Sequence, residues 1–352
     1  MTQPRKRNKR FFEYGLAPGF LSCGKLNSIA DVSGVRVGHF TKIQGRDIRT
    51  GITVIDPGVP NLFRDKIPAA IAVGNGYGKL AGYTQVEEFG TLETPIALTN
   101  TLAVGPVVRG IINLVLKNNK VGPGESINAI VGETNDGFLN NLHAASIFPE
   151  DVFSAYKNRA RNFGVGNIGA GTGTRAFSWK GGIGTSSRVV KINGKKYALG
   201  VLMQTNFGGS LVVTGKPIGR LLRKSDFSEF ISRGDGSCMI VIATDAPVSA
   251  RQLKRIAQRA FLGLARTGSI LANGSGDYAV AFSVSRAGLD GRFSARTIEN
   301  SDLNGLFLAT VEAAEESVYD ALFAAETMTG RGGNTLSALP KEDVINILSK
   351  EH

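Results

Sequence analysis

Gly234-Asp235-Gly236-Ser237-Cys238 runs directly into Met239-Ile240-Val241-Ile242-Ala243-Thr244. The second half is a short, largely β-branched apolar run, the pattern of a strand buried on both faces. The first half is small and polar, the pattern of a tight entry into that strand. Two readings fit a Gly-Ser bond at this place. One is a turn feeding a core strand. The other is an autoproteolytic site, in which Ser237 attacks the carbonyl of Gly236, the resulting ester is hydrolysed, and Ser237 becomes a new amino terminus. Glycine before the serine would let that peptide take strained angles that other residues resist.

Outward from this segment, strands and helices interleave. Val35–Phe40, Ile52–Ile55, Ala69–Val73 and Ile127–Val131 read as short strands, and Ala279–Val284 as another. Val189–Ile192 and Lys196–Asn206 flank Asn193-Gly194, the preferred pair for a type I′ hairpin turn. Residues 102–117 carry apolar positions at helical spacing, and 306–325 keep Phe307, Val311, Ala314, Val318 and Leu322 in register. The clearest helix is 250–266, where Leu253, Ile256, Ala257, Ala260, Phe261 and Leu264 form one apolar face behind Ser249 as N-cap. The order lacks a regular βαβ rhythm. It predicts an α/β fold with mixed sheets and helices outside, without linkers or internal repeats.

Composition narrows the class. The 352 residues include 45 glycines, nearly twice the usual share of roughly 7 %, with no collagen period. Apolar residues make up 42 %, too many for a disordered chain. Five of the twelve net positive charges lie on Arg5, Lys6, Arg7, Lys9 and Arg10. Such a run reads as a solvated arm and less readily as a nucleic-acid contact, so no nucleic-acid partner is expected. No apolar run is long enough to cross a membrane. Glu13 and Pro18 interrupt any signal-peptide core, which points to the cytoplasm. Cys23 and Cys238 make no disulfide framework. His39, His143 and His352 lie in no metal or triad motif, so no metal or cofactor is expected. Gly74–Lys79 and Gly169–Thr174 imitate phosphate loops without their spacing and read as tight turns around a packed site.

The wider set of motifs resembles the DmpA-type L-aminopeptidase/D-esterase family, also called β-peptidyl aminopeptidases. The matching segments are Asn27–Val32, Val35–His39, Gly51–Val54, Glu88–Gly90 with Thr94–Ile96, Gly132–Gly137, Gly166–Gly173, Gln204–Gly208, Gly234–Ser237, Gly274–Asp277 and Gly330-Arg331. They span about Asn27 to Pro340, nearly the whole chain, and their order and spacing are specific. The resemblance implies an αββα sandwich of the N-terminal-nucleophile-like type. It implies a basic tail and lead-in over residues 1–26 and one catalytic domain over 27–352, cut between Gly236 and Ser237 into chains 1–236 and 237–352. Ser237 is then the nucleophile and its freed α-amine the general base, which removes any need for histidine.

The same resemblance makes Ser275 and Asp277 the supporting hydroxyl and carboxylate. Two residues apart on a strand, they face one side, from which Ser275 would bond the Ser237 amine and hydroxyl. Some members of the family it resembles carry glutamate where this chain has Asp277. Asn206 is implied as the oxyanion-stabilising amide. The tyrosine hydroxyl that the family adds aligns near Gly137-Phe138-Leu139, where Phe138 has none. Glu133, Asn135 and Asp136 are candidates to bind the substrate's free amine, a solvated loop being the other reading of Asp136. Substrates would be small peptides, aminoacyl amides or esters, and the assembly a homotetramer. Two other readings differ in class. An acyltransferase like the ornithine acetyltransferases would need threonine in place of Ser237, and a non-enzymatic nucleic-acid binder would rest on residues 1–10.

Overall fold

The computed structural model of the chain describes residues 8–224, 235–286 and 297–350, with Asp235 as backbone alone. Gly234, His352 and Arg5, Lys6 and Arg7 of the basic run lie outside the described residues. In chain order come β1 (Arg36–Gln44), β2 (Ile48–Asp56), β3 (Ile67–Gly76), β4 (Leu80–Ala81), α1 (Tyr83–Phe89), β5 (Thr91–Leu92), β6 (Ile96–Asn100), α2 (Val104–Asn118), β7 (Ile130–Thr134) and α3 (Pro149–Lys157). β8 (Arg175–Ala176), β9 (Trp179–Lys180), β10 (Ile183–Ile192), β11 (Lys195–Phe207), α4 (Ile218–Leu221) and β12 (Asp235–Thr244) follow. The last are α5 (Ala250–Arg266), β13 (Gly274–Ser283), α6 (Asn304–Ala324), β14 (Met328–Thr329), β15 (Thr335–Leu336) and α7 (Lys341–Ser349).

The strands make two main sheets. One has the order β1-β2-β6-β7-β4, the other β5-β3-β13-β12-β11-β8-β9 with β10 paired to β11. β12 is parallel to β13, while β11 and β3 run antiparallel to them. Side chains alternate across each strand, and the alternation builds three cores. Met239, Val241, Val280 and Leu202 meet Leu98 and Ile130 between the sheets. Ile240, Ile242, Ala279 and Ala281 point the other way, onto Leu253, Ile256, Val318 and Leu322 of α5 and α6. Ile52, Val54 and Val131 pack against Val107, Ile111 and Val152 of α2 and α3. The result is four layers, α–β–β–α, with helices outside both sheets.

Local sequence explains several joints. Ser249 and Gln252 close a capping box at the start of α5, whose apolar stripe is buried. Asn193 and Gly194 both take positive φ, at 49° and 81°, as the type I′ turn requires. The β8–β9 hairpin makes the same demand of residues without glycine: Phe177 and Ser178 sit at φ 50° and 67°. Such angles cost energy for ordinary side chains and persist here under the packing of the fully buried Phe177.

The solvated-arm reading fails at Arg10. Its side chain is buried and donates to Asp320 of α6 through Nε (2.8 Å) and Nη2 (3.0 Å). Phe11 next to it is fully buried against Tyr319 and Phe323. The lead-in therefore lies across α6. Glu312, Glu316 and Asp320, four residues apart on one helix face, are all buried. Arg188 pairs with Glu312 (3.0 Å) and Glu316 (2.7 Å), and Asn27 donates to Glu316 (2.6 Å). Among the described residues no helix is long and apolar enough to cross a membrane, and no cluster of three or more His, Cys, Asp or Glu could hold a metal ion.

Candidate active site

Ser237 lies near the start of β12, in the middle of the larger sheet. It stands opposite Asn206 of β11 on one side and Gly276 of β13 on the other. Alternation along β12 puts its side chain on the face of Met239 and Val241, between the sheets. Neighbouring register positions share a face, so Asn206 points the same way. Both are nearly buried, at 5 % and 6 % exposure. The Asn206 amide is oriented by the backbone: the N–H of Arg175 donates to its Oδ1 at 3.2 Å. That fixes Nδ2, the donor end, away from Arg175 and, among the described residues, free of protein acceptors.

Ser275 and Asp277 share the opposite face of the sheet, with Gly236 and Cys238 as their register neighbours. This differs from the expected contact between Ser275 and the Ser237 side chain. In the intact chain the Ser275 hydroxyl faces Gly236, where a Cβ would stand 3.0 Å from its Oγ. The φ of Gly236 is not in the left-handed region. Glycine is favoured there by the closeness of Ser275 rather than by strained angles. The backbone nitrogen of Ser237 lies in the plane of the sheet, within reach of both faces.

Ser275 and Asp277 are held in an unsatisfied state. Among the described residues, neither Ser275 Oγ nor either carboxylate oxygen of Asp277 has a hydrogen-bond partner of normal geometry. Burial pushes the Asp277 carboxyl up to about 6, and the nearby Ser275 hydroxyl only partly offsets this. Burial, and then the Asp277 charge, raises the Cys238 thiol well above its usual range. Asn75 pins the turn before these residues, donating to the carbonyls of Ala272 (3.1 Å), Asn273 (3.0 Å) and Ser275 (2.5 Å).

Glu133 lies next to the end of β7 on the other sheet and reaches this site across the gap. A Cβ at Gly78 would lie 3.1 Å from Glu133 Oε1 and 3.2 Å from the Cα of Gly276, the residue beside Ser237. Glu133 is buried, which raises its carboxyl above the ordinary range, and the Lys79 N–H that donates to it (3.0 Å) opposes the rise. Asn135 is not brought into the site. It is exposed, and its Oδ1 accepts from the N–H of Gly137 to close a turn. Asp136 is no solvated loop residue: it is 1 % exposed and accepts from Asn140 Nδ2 at 2.9 Å. It packs behind the glycine loop, where a Cβ at Gly173 would collide with the Arg49 carbonyl and approach the Asp136 side chain. Phe138 stacks under the Arg175 guanidinium and supplies no hydroxyl.

One buried cation was not singled out from sequence. Lys180 is fully buried, and burial lowers its ammonium pKa while the Asp136 charge opposes the shift. The visible signal was a lone lysine in Trp179-Lys180-Gly181-Gly182, inside the stretch of the chain densest in glycine.

This combination of a four-layer sandwich and a serine heading a central strand has close counterparts. The family model described as Peptidase family S58 matches residues 27–336. A β-peptidyl aminopeptidase BapA from Sphingosinicella microcystinivorans is 37 % identical over 93 % of this chain and 89 % of its own length. A solved structure of a Pyrococcus horikoshii OT3 protein superposes with TM-score 0.89 at 41 % identity, covering 96 % of this chain and 98 % of that one. The L-aminopeptidase D-Ala-esterase/amidase of Ochrobactrum anthropi, described as a variant of the Ntn hydrolase fold, superposes at 0.87 with 31 % identity, covering 96 % and 98 %. The protein is a peptide-bond hydrolase with an Ntn-hydrolase type of fold. The chain belongs to peptidase family S58.

Proposed function

We propose that this protein is a self-processing serine aminopeptidase that releases a small amino-terminal residue from peptides, amides or esters. The observation that carries the reading is the register around Ser237. A hydroxyl with Asn206 on its own face, and Ser275 and Asp277 beside the preceding glycine, stands at the head of a central strand.

In the first reaction Ser237 Oγ attacks the Gly236 carbonyl carbon and the peptide C–N bond breaks, giving an ester and a free amine. Water then cleaves the ester, leaving a carboxylate on Gly236 and an amino-terminal Ser237. An α-amine titrates near 7.7–8.0, so part of it is neutral at working pH and able to take the hydroxyl proton. In the second reaction Ser237 Oγ attacks the substrate carbonyl. Asn206 Nδ2 donates to the oxyanion, and the leaving amine takes the proton from the Ser237 ammonium. Water hydrolyses the acyl-enzyme by the same path in reverse. Ser275 bonds the Ser237 amine, Asp277 balances its transient charge, and Glu133 receives the substrate's ammonium group. The comparison with relatives named for peptidase activity supports this chemistry. The reading carries with it a single catalytic domain over residues 27–352, a cytoplasmic location and a homotetramer of processed protomers. Light scattering and cell fractionation check the last two.

Intact mass and denaturing electrophoresis test the mechanism. The purified protein is expected as chains 1–236 and 237–352, and Ser237→Ala as one inactive, full-length chain. A wild-type chain that stays whole while hydrolysing aminoacyl p-nitroanilides would sink the mechanism.

A further inference from the structure

Lys180 Nζ donates to three backbone carbonyls: Gly171 (3.0 Å), Thr174 (2.8 Å) and Gly181 (2.8 Å). Three acceptors at these distances match the three N–H donors of the ammonium form. No carboxylate lies within ion-pair distance of it among the described residues. A fully buried charge held by carbonyl dipoles alone is costly, and the fold keeps it at one particular place. The Thr174 carbonyl it binds belongs to the same peptide unit as the Arg175 N–H. That N–H is the donor that fixes Asn206 Oδ1.

We infer that Lys180 is a positioning residue for the oxyanion donor, acting on Asn206 through the Thr174–Arg175 peptide. The inference rests on the role proposed above for Asn206. Two effects follow from the geometry. The ammonium holds the peptide plane, and with it the direction in which the Asn206 amide points. It also draws electron density toward the Thr174 oxygen, which makes the Arg175 N–H a stronger donor. Each hydrogen bond in such a chain polarises the next, so Asn206 Nδ2 becomes a better donor to a developing negative charge. The strained β8–β9 hairpin serves the same end: Phe177 and Ser178 at positive φ turn the chain so that Arg175 and Lys180 face each other across the ladder. Asp136 stands close enough to ease the buried charge.

The test is a double-mutant cycle read by steady-state kinetics on an aminoacyl p-nitroanilide, with kcat normalised to the processed chain measured by mass. Removing an oxyanion donor costs about 100- to 1000-fold in rate, and that is the loss expected for Asn206→Ala. Lys180→Met is expected to lower kcat by roughly 10- to 100-fold, within that ceiling, with KM changed less than about twofold. Lys180→Gln, which keeps two donors and no charge, should fall between. Combined with Asn206→Ala, neither Lys180 change should cost anything more, since the group it acts through is gone. A residue that only braces the fold would instead lose activity in both backgrounds. Unchanged kcat in either Lys180 variant, or a full additive loss on Asn206→Ala, overturns the inference. So does failure of both variants to fold, which would assign Lys180 to the core alone. Ser237→Ala and Asn206→Ala are run alongside. Activity surviving in Ser237→Ala, or undiminished in Asn206→Ala, refutes the underlying mechanism instead, whatever Lys180 does.

Discussion

The Asp277 carboxyl offers a direct physical test of the site in its uncut form. Among the described residues its two oxygens lie buried without partners of normal geometry, and its pKa is raised from 3.8 to about 6. The sign follows from linkage. Between the two values the folded chain holds the proton more firmly than the unfolded chain does. Asp277 therefore costs nothing below the unfolded value and subtracts stability as pH rises through about 6. Two pKa units at about 1.4 kcal/mol each give a penalty of roughly 3 kcal/mol at neutral pH. The comparison is made in the Ser237→Ala background, where both chains stay whole. Asn at position 277 never ionises, although its amide is also short of partners, at a cost independent of pH. The stability difference between Ser237→Ala and Ser237→Ala/Asp277→Asn should thus shift by roughly 2.5 kcal/mol in favour of the asparagine chain between pH 4 and pH 7.5. Denaturant titrations at several pH values measure it. A difference that stays flat across that range would refute the claim that Asp277 is stranded in a dry site. A shift of the opposite sign would mean that a cation accompanies it.

Other outcomes follow from the same geometry. Arg188→Met leaves Glu312 and Glu316 buried without a cation, and should cost about 3–5 kcal/mol, seen as a melting temperature lower by about 10 °C or as loss of soluble protein. Glu133→Gln should raise KM for substrates with a free amino terminus by roughly 10- to 100-fold, with a smaller change in kcat, and should leave amine-blocked esters unaffected. Gly236→Ala places a Cβ 3.0 Å from Ser275 Oγ and should slow chain cutting without unfolding the protein, measured as the full-length fraction over time after synthesis.

Much of the architecture was legible where local chemistry and packing agree. The stripe of α5, its Ser249 cap and the Asn193-Gly194 turn each follow from one short stretch of chain, and each is present. The strand Met239–Thr244 was visible because it is buried on both faces. Strand order was not visible, because β3 and β13 are joined by contacts some two hundred residues apart that no local pattern encodes. The charges on α6 were hidden for a similar reason. Glu312, Glu316 and Asp320 look like a solvent face until Arg188 and Arg10 arrive from elsewhere to cover them. In the site, the spacing of Ser275 and Asp277 is written in the sequence, but the face they share with Gly236 depends on register with β12. Lys180 escaped notice because its partners are carbonyls, which every residue carries.

Strand order also bears on how the proposed two-chain enzyme is made. β12 and β13, from the segment after Gly236, sit between β3 and β11, from the segment before it. The later segment is a wedge in the middle of the sheet, bonded along both edges, and its helix α6 is clamped by Arg10, Asn27 and Arg188 of the earlier one. Neither piece has the larger sheet complete without the other. On the proposed mechanism the chain would assemble while continuous, and the break would come last. Once made, it would separate two polypeptides that could not part without opening two sheet edges and stripping buried carboxylates of their cations. The break would thus be irreversible in a second sense: halves parted by denaturant would have no covalent route back, and activity lost that way should not return on dilution.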